Sequence, residues 1–191
     1  MRRLFLCLII LAAALPAAAK LRLVDISDQI DFGRDSVGCN TCEVVVVHSS
    51  YYAGKGHGPF WRQGVIDQYR QYDVSPHYLI DRDGTVYRMA PDTCICWHAG
   101  TSLLPGTERD SLNNCAIGIE IINSKAAGPS DAQYAALASL LNNPVEQYPV
   151  THILGHSDIA PGRKTDPWAF SWRRLRRLVG ERARAVFYRK Q

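Results

Sequence analysis

The sequence predicts an α/β protein in which a central β-sheet is covered by helices in a single layered domain. Three observations carry that expectation. Val44-Val45-Val46-Val47 is a β-branched run without alternation, the pattern of a strand covered on both faces. Ile117, Ile119 and Ile121 alternate with Gly118 and Glu120, which reads as a second central strand. Between and beyond these strands lie stretches with apolar residues at helical spacing, with Tyr134, Leu137 and Leu141 in one and Trp172, Leu175, Leu178 and Val186 in another. At 191 residues and 47% hydrophobic content, the chain fits one domain and can bury a core without depending on disulfides.

The remaining elements follow in order. Arg2 and Arg3, the apolar run from Leu4 to Leu15, Pro16 and then Ala17-Ala18-Ala19 have the layout of a secretory signal peptide cleaved after Ala19. The run is shorter than the about 20 residues that span a bilayer, and Cys7 lies at the wrong end of it for a lipoprotein anchor. The expectation is an exported chain, periplasmic or secreted, with residues 20–191 as its domain and no transmembrane segment after cleavage. Gly54 to Pro59 is a loop, and Trp61 to Tyr72 has helical spacing through Val65, Ile66 and Tyr69. His77 to Ile80 and Thr85 to Met89 flank the hairpin turn Asp83-Gly84. Ser130 followed by Gln133 is a capping box that opens a helix, which Pro144 ends or kinks. His152 to Leu154 is a short strand, and one helix closes the chain.

Export makes disulfides the default reading of Cys39, Cys42, Cys94, Cys96 and Cys115, with at least one thiol left over. A structural zinc on Cys39/Cys42 and Cys94/Cys96 is the other reading, although one residue rather than two separates the second pair. The net charge of +4 hides an asymmetry, because Arg173 to Lys190 holds eight basic residues and one acid, Glu181. Such a helix is either a solvated face or an electrostatic contact for an anionic surface.

The densest chemistry lies in Gly155 to Pro167, where two prolines and two glycines frame His156, Asp158, Arg163, Lys164 and Asp166. A loop this rigid and polar positions groups for a task. His156 and Asp166 suit two ends of a folded-back loop that offers two ligands to zinc, which in catalytic sites takes three protein ligands and keeps one position open. His48, which ends the valine run at the carboxyl end of its strand, is the candidate for the third. Glu120 interrupts an isoleucine strand where an idle carboxylate would be costly, and reads as the general base. Lys164 is the candidate to neutralise an oxyanion. Asp158 to Lys164 lacks the glycine spacing of a nucleotide loop, and no nucleic acid is expected as partner.

His48 after the valine strand, Val74 to Ile80 before Asp81-Arg82-Asp83-Gly84, Trp97-His98-Ala99-Gly100, Ala116 to Glu120, and Gly155-His156 through Asp166-Pro167 occur in that order. Together they resemble the type 2 N-acetylmuramoyl-L-alanine amidases, relatives of the peptidoglycan recognition proteins, from about Cys42 to Trp172. The resemblance implies a central mixed sheet flanked by helices, and one Zn2+ ion in a groove that accepts peptidoglycan or a muropeptide. It carries His48, His156 and Asp166 onto the metal ligands, Glu120 onto the acid-base residue, Lys164 onto the transition-state lysine, and His98 onto a substrate-groove histidine. Where some relatives have a tyrosine this chain has Pro76, so the assistance falls to Glu120 and His77 reads as structural. The implied reaction is hydrolysis of the amide between N-acetylmuramic acid and L-alanine. Two other readings are a non-catalytic peptidoglycan-binding module on the same scaffold, and a thiol hydrolase using Cys96 or Cys115 with His98.

Overall fold

The computed structural model describes residues 21–35 and 37–188. The expected signal peptide and the last three residues of the basic tail lie outside them. A six-stranded sheet runs in the order β1 (Leu23–Asp25), β5 (Val86–Arg88), β4 (Tyr78–Ile80), β7 (Ala116–Ile122), β3 (Val44–Ser50) and β8 (His152–Gly155). Every neighbouring pair is parallel except β4 with β5. The sheet is therefore mixed, and the antiparallel pair is the hairpin around Asp83-Gly84. Two-residue strands β2 (Arg34–Asp35) and β6 (Ile95–Cys96) pair apart from it.

Period-two alternation divides the central strands between two cores. Val45, Val47, Ile117, Ile119 and Ile121 pack with Leu137, Leu141 and Leu175, which come from helices α2 (Asp131–Gln147) and α4 (Trp172–Leu178). Val44 and Val46 face the other way, against Leu112, Leu154 and Ile159, the last from the short helix α3 (His156–Ile159). Both faces of β3 are thus covered, and this is why its valines show no alternation. Helix α1 (Arg62–Tyr72) completes the layer by burying Val65, Ile66 and Tyr69 against Ile30, Leu79 and Met89.

The capping box at Ser130 forms as expected. The Gln133 N–H donates to Ser130 Oγ at 3.1 Å, and the Ser130 N–H donates to Gln133 Oε1 at 2.9 Å. Gln133 also ties the helix to the sheet, because its amide donates to the carbonyls of Ile80 (3.1 Å) and Ile122 (2.8 Å). Two boundaries differ from expectation. Helix α2 runs past Pro144 to Gln147, so of the two expected effects the proline does not end it. The closing helix is two helices, since Val179 is extended and Gly180 opens α5 (Glu181–Ala185). Leu178, the last residue of α4, is 48% exposed and does not share the buried stripe of Trp172 and Leu175.

Gln133 is fully buried, so replacing it strands two sheet carbonyls and a helix cap together. Gln133→Ala is expected to lower the unfolding free energy by about 2–3 kcal/mol, read from urea denaturation at neutral pH.

Candidate active site

Strand register assembles the site. β3 lies between β7 and β8, with His48 directly opposite Glu120 and Val47 opposite Gly155. The second imidazole needs no reach from a distant loop, because His156 follows Gly155 at once as the first residue of α3. His48 shares a face with Val44 and Val46, and Glu120 shares one with Gly118, so parallel pairing delivers both side chains to one side at the carboxyl ends of the strands. Gly118 is needed there, since a Cβ on it would stand 2.4 Å from the His98 ring. The loop after α3 folds back through the Ser157 N–H, which donates to the Asp166 carbonyl at 2.8 Å, and the Trp168 N–H, which donates to Ser49 Oγ at 3.0 Å. Asp166 is thereby returned beside the two histidines.

The three atoms converge. His48 Nδ1 and His156 Nδ1 are 2.9 Å apart, and Asp166 Oδ2 is 3.2 Å from the latter and 3.7 Å from the former. Their proton states follow from the far side of each ring. His156 Nε2 lies 3.1 Å from the Ala99 carbonyl, which can only accept, so that nitrogen carries the hydrogen and Nδ1 presents a lone pair. His98 Nε2 likewise donates to the Ala116 carbonyl (3.2 Å), which leaves His98 Nδ1 to accept from His48 Nε2 at 3.0 Å. His48 Nδ1 is then also unprotonated. Two lone pairs and a carboxylate oxygen meeting without a hydrogen between them suit a cation. Ligand atoms about 2.0–2.2 Å from a tetrahedral metal ion stand roughly 3.4 Å from one another, close to the three separations found.

Burial, reinforced by His156, pushes the His48 pKa down to about 4, and burial with His48 and His77 beside it holds His98 well below the usual range. Neutral imidazoles are the ligating form. Glu120 Oε1 stands 4.0 Å from His48 Nδ1, with a side chain 13% exposed. Burial first, and then the Asp166 carboxylate, push the Glu120 pKa up to about 8, against the opposing influence of Ser50 and Lys164. Beside a bound divalent cation this carboxyl would ionise more readily.

These groups open into a cavity of about 380 Å³, whose walls include Tyr69, Pro76, Trp97, His98, Lys164 and Trp168. All six site residues expected from the sequence therefore meet at one place: His48, His156 and Asp166 as a cluster that could hold a metal ion, with Glu120, Lys164 and His98 around it. His98 lines the cavity, with both ring nitrogens engaged by His48 and the Ala116 carbonyl. His77 is fully buried and donates to the Cys94 carbonyl (2.9 Å) while accepting from the Gly118 N–H (3.0 Å). Two residues went unread in the sequence. Ser50 Oγ donates to Glu120 Oε2 at 2.6 Å, and Tyr69 Oη donates to Ser50 Oγ at 2.7 Å. Period two could have flagged Ser50, which shares the face of His48; nothing local signals Tyr69. The five cysteines of the described residues are free thiols rather than the expected disulfides, and none lines the cavity. Cys42 Sγ, for one, is turned to the carbonyls of Asn40 and Asp92 instead of to another sulfur. Burial pushes Cys42 and Cys96 up to about 12 and raises Cys115 as well.

A profile of the N-acetylmuramoyl-L-alanine amidase family matches residues 39–169. The chain is 43% identical over 111 residues to the 1,6-anhydro-N-acetylmuramyl-L-alanine amidase AmpD of Escherichia coli, covering 56% of this chain and 60% of that protein. It is 34% identical over 121 residues to the N-acetylmuramoyl-L-alanine amidase AmiD of Escherichia coli, covering 53% of this chain and 43% of that one. The alignments thus span little more than half, or less, of these relatives' lengths. The crystal structure of a selenomethionine AmpD derivative superposes with a TM-score of 0.64 at 31% identity, covering 85% of this chain and 96% of that one. Escherichia coli AmiD in complex with anhydro-N-acetylmuramic acid-L-Ala-D-γ-Glu-L-Lys superposes with a TM-score of 0.62 at 26% identity, covering 76% and 61%.

The shifts have opposite signs in the chelator-treated protein. His48 and His77 sit near 4 in the fold against an ordinary 6.5, so the unfolded chain binds more protons and stability falls as pH drops from about 6.5 to about 4. Glu120 sits near 8 against 4.5, so its contribution is lost as pH rises through that interval. The windows overlap, and two histidines outweigh one carboxyl below about pH 6.5, so the denaturation midpoint should peak near that pH. Glu120→Gln should remove the decline above about pH 6.5 and steepen the rise below it, where Glu120 opposes the histidines.

Proposed function

The chain belongs to the N-acetylmuramoyl-L-alanine amidase family, and from that premise we propose that it is an exported zinc amidase hydrolysing the bond between N-acetylmuramic acid and L-alanine in peptidoglycan or its fragments. The observation that carries the reading is the meeting of His48 Nδ1, His156 Nδ1 and Asp166 Oδ2 within 3.7 Å, with the Glu120 carboxylate 4.0 Å from the first. Two imidazole nitrogens and one carboxylate oxygen are a catalytic zinc donor set with a position left for solvent or substrate. Bound there, zinc would supply Lewis acidity toward both a water and the scissile carbonyl.

The chain's own groups do the rest. Glu120, with one oxygen free of Ser50 and turned toward the cluster, takes a proton from the attacking water. A carboxyl with a raised pKa is a better base near neutral pH than an exposed one. As the C–N bond breaks, the same group gives a proton to the departing L-alanine nitrogen, leaving the lactyl carboxylate and a free amine. Lys164, whose charge is felt at both His48 and Glu120, meets the developing oxyanion. His98 acts through His48 by accepting its Nε2 hydrogen and so keeping Nδ1 bare, an outer contact of the kind that orients metal-bound imidazoles. Trp97 and Trp168 form walls of the substrate groove.

The layout of residues 1–19 supports export, and no helix of the described residues is long and apolar enough to cross a membrane. The basic helices make local contacts: Arg174 pairs with Asp131 (2.7 Å), and the Arg176 guanidinium lies over the Phe187 ring. These favour a solvated face over an anionic docking surface. The thiol-hydrolase reading is disfavoured, because Cys96 and Cys115 are buried with raised pKa values, and His98 is committed to His48 and Ala116.

Mass spectrometry of products from a defined muropeptide should show free stem peptide. A chelator such as phenanthroline should abolish its release and iodoacetamide should spare it; the reverse pattern would restore the thiol. Glu120→Ala should keep one zinc per chain and lose turnover, and Lys164→Ala should cost about 10²- to 10³-fold in kcat.

A further inference from the structure

Glu120 can serve as a base only if one carboxylate oxygen stays turned toward the metal cluster, and a glutamate has three side-chain torsions through which to lose that aim. The adjacent residues of its own strand, Ile119 and Ile121, pack on the opposite face and offer it no hydrogen bond. The restraint comes from β3 and α1. Ser50 Oγ donates to Glu120 Oε2 at 2.6 Å, and Tyr69 Oη donates to Ser50 Oγ at 2.7 Å. The chain has a required direction. A serine hydroxyl has one hydrogen, and here the carboxylate takes it, so the serine lone pairs are left to accept, and the phenol supplies that hydrogen. Each end is anchored independently. The Ser50 carbonyl accepts from the Asn123 N–H at 3.0 Å, and Tyr69 is 6% exposed in the core that α1 forms with Phe32 and Leu79.

From this geometry we infer that Ser50 and Tyr69 are positioning residues for the amidase reaction: Ser50 holds Oε2 so that Oε1 faces the metal cluster, and Tyr69 holds Ser50. The inference rests on the reaction proposed above. Neither residue is a metal ligand, and the relay needs neither to touch substrate; what it sets is the rotamer of the base. It also gives α1 a role in the site that its position outside the central strands does not suggest. The effect belongs to the chemical step rather than to substrate affinity.

The experiment compares steady-state kinetics and zinc content for the full chain and four variants on one defined muropeptide. Ser50→Ala should lower kcat by about 10- to 100-fold, the usual effect of losing an outer contact, with KM unchanged and one zinc per chain retained. Ser50→Thr keeps the hydroxyl on a residue suited to a strand and should recover most of the loss. Tyr69→Phe should cost about 2- to 12-fold, the worth of one hydrogen bond. In the Ser50→Ala background, however, Tyr69→Phe should cost nothing further, because its effect passes through the serine. The inference is overturned by a Ser50→Ala enzyme that turns over like the parent, by a loss that appears in KM or in zinc content, by a threonine variant no better than alanine, or by a tyrosine effect that multiplies with the serine effect. If the parent chain itself releases no stem peptide, the reaction fails first and the relay with it; if the parent cleaves and the variants behave as just described for overturning, only the relay fails.

Discussion

Two unprotonated imidazole nitrogens facing each other at 2.9 Å are the constraint on which the site depends. Backbone carbonyls impose it. Ala99 holds the hydrogen of His156 on Nε2, and Ala116, acting through His98, holds that of His48 on Nε2 as well. Without a cation the arrangement sets lone pair against lone pair and both against the Asp166 carboxylate. With one, each of the three becomes a ligand. The neutral state of the buried histidines, which costs stability in acid, is the same property that suits them to hold a cation. Stability and chemistry are linked here through the same protons.

The sheet converts that local chemistry into a site. Parallel order β7-β3-β8 puts His48 between Glu120 and the start of α3, so Glu120, His48 and His156 arrive in register and require no long flexible reach. Sites on strands and helix starts hold geometry more tightly than sites on loops. Asp166 and Lys164 come from a loop whose backbone is tied to Ser157 and Ser49, and His98 follows β6. Because Gly118 lacks a Cβ, the His98 ring can lie against β7 and reach both Ala116 and His48. A side chain at 118 would displace the histidine that sets the proton state of His48.

Around this centre the molecule separates inert groups from reactive ones. The five thiols lie outside the cavity, and those of Cys42, Cys96 and Cys115 are buried with raised pKa values, which keeps them in the unreactive protonated form. His77, fully buried and bonded on both nitrogens, connects β7 to the segment around Cys94, in agreement with a structural role. Among the C-terminal arginines, Arg184 bonds to a nearby helix carbonyl, Arg174 pairs with Asp131, and Arg174 and Arg176 lie over aromatic rings.

What the sequence determined by itself is the set of elements and the chemically costly residues. The valine run, the alternating isoleucines, the turn at Asp83-Gly84 and the Ser130–Gln133 box each state a local preference that the fold keeps, because burial period and capping are local physics. His48, Glu120, His156, Lys164 and Asp166 stood out because each is a polar group at a place where burial would penalise it without a purpose. Tertiary structure decided what depends on residues far apart in the chain. The tautomers are set by carbonyls 18 and 57 residues away from the rings they hold, and by a contact between rings 50 residues apart. Tyr69 meets Ser50 only because α1 packs beside the carboxyl end of β3, and the closing helix breaks at Gly180 although its apolar spacing reads as continuous. Periodicity records which face a residue takes on its own element; which atom waits across the gap is set by how the elements pack.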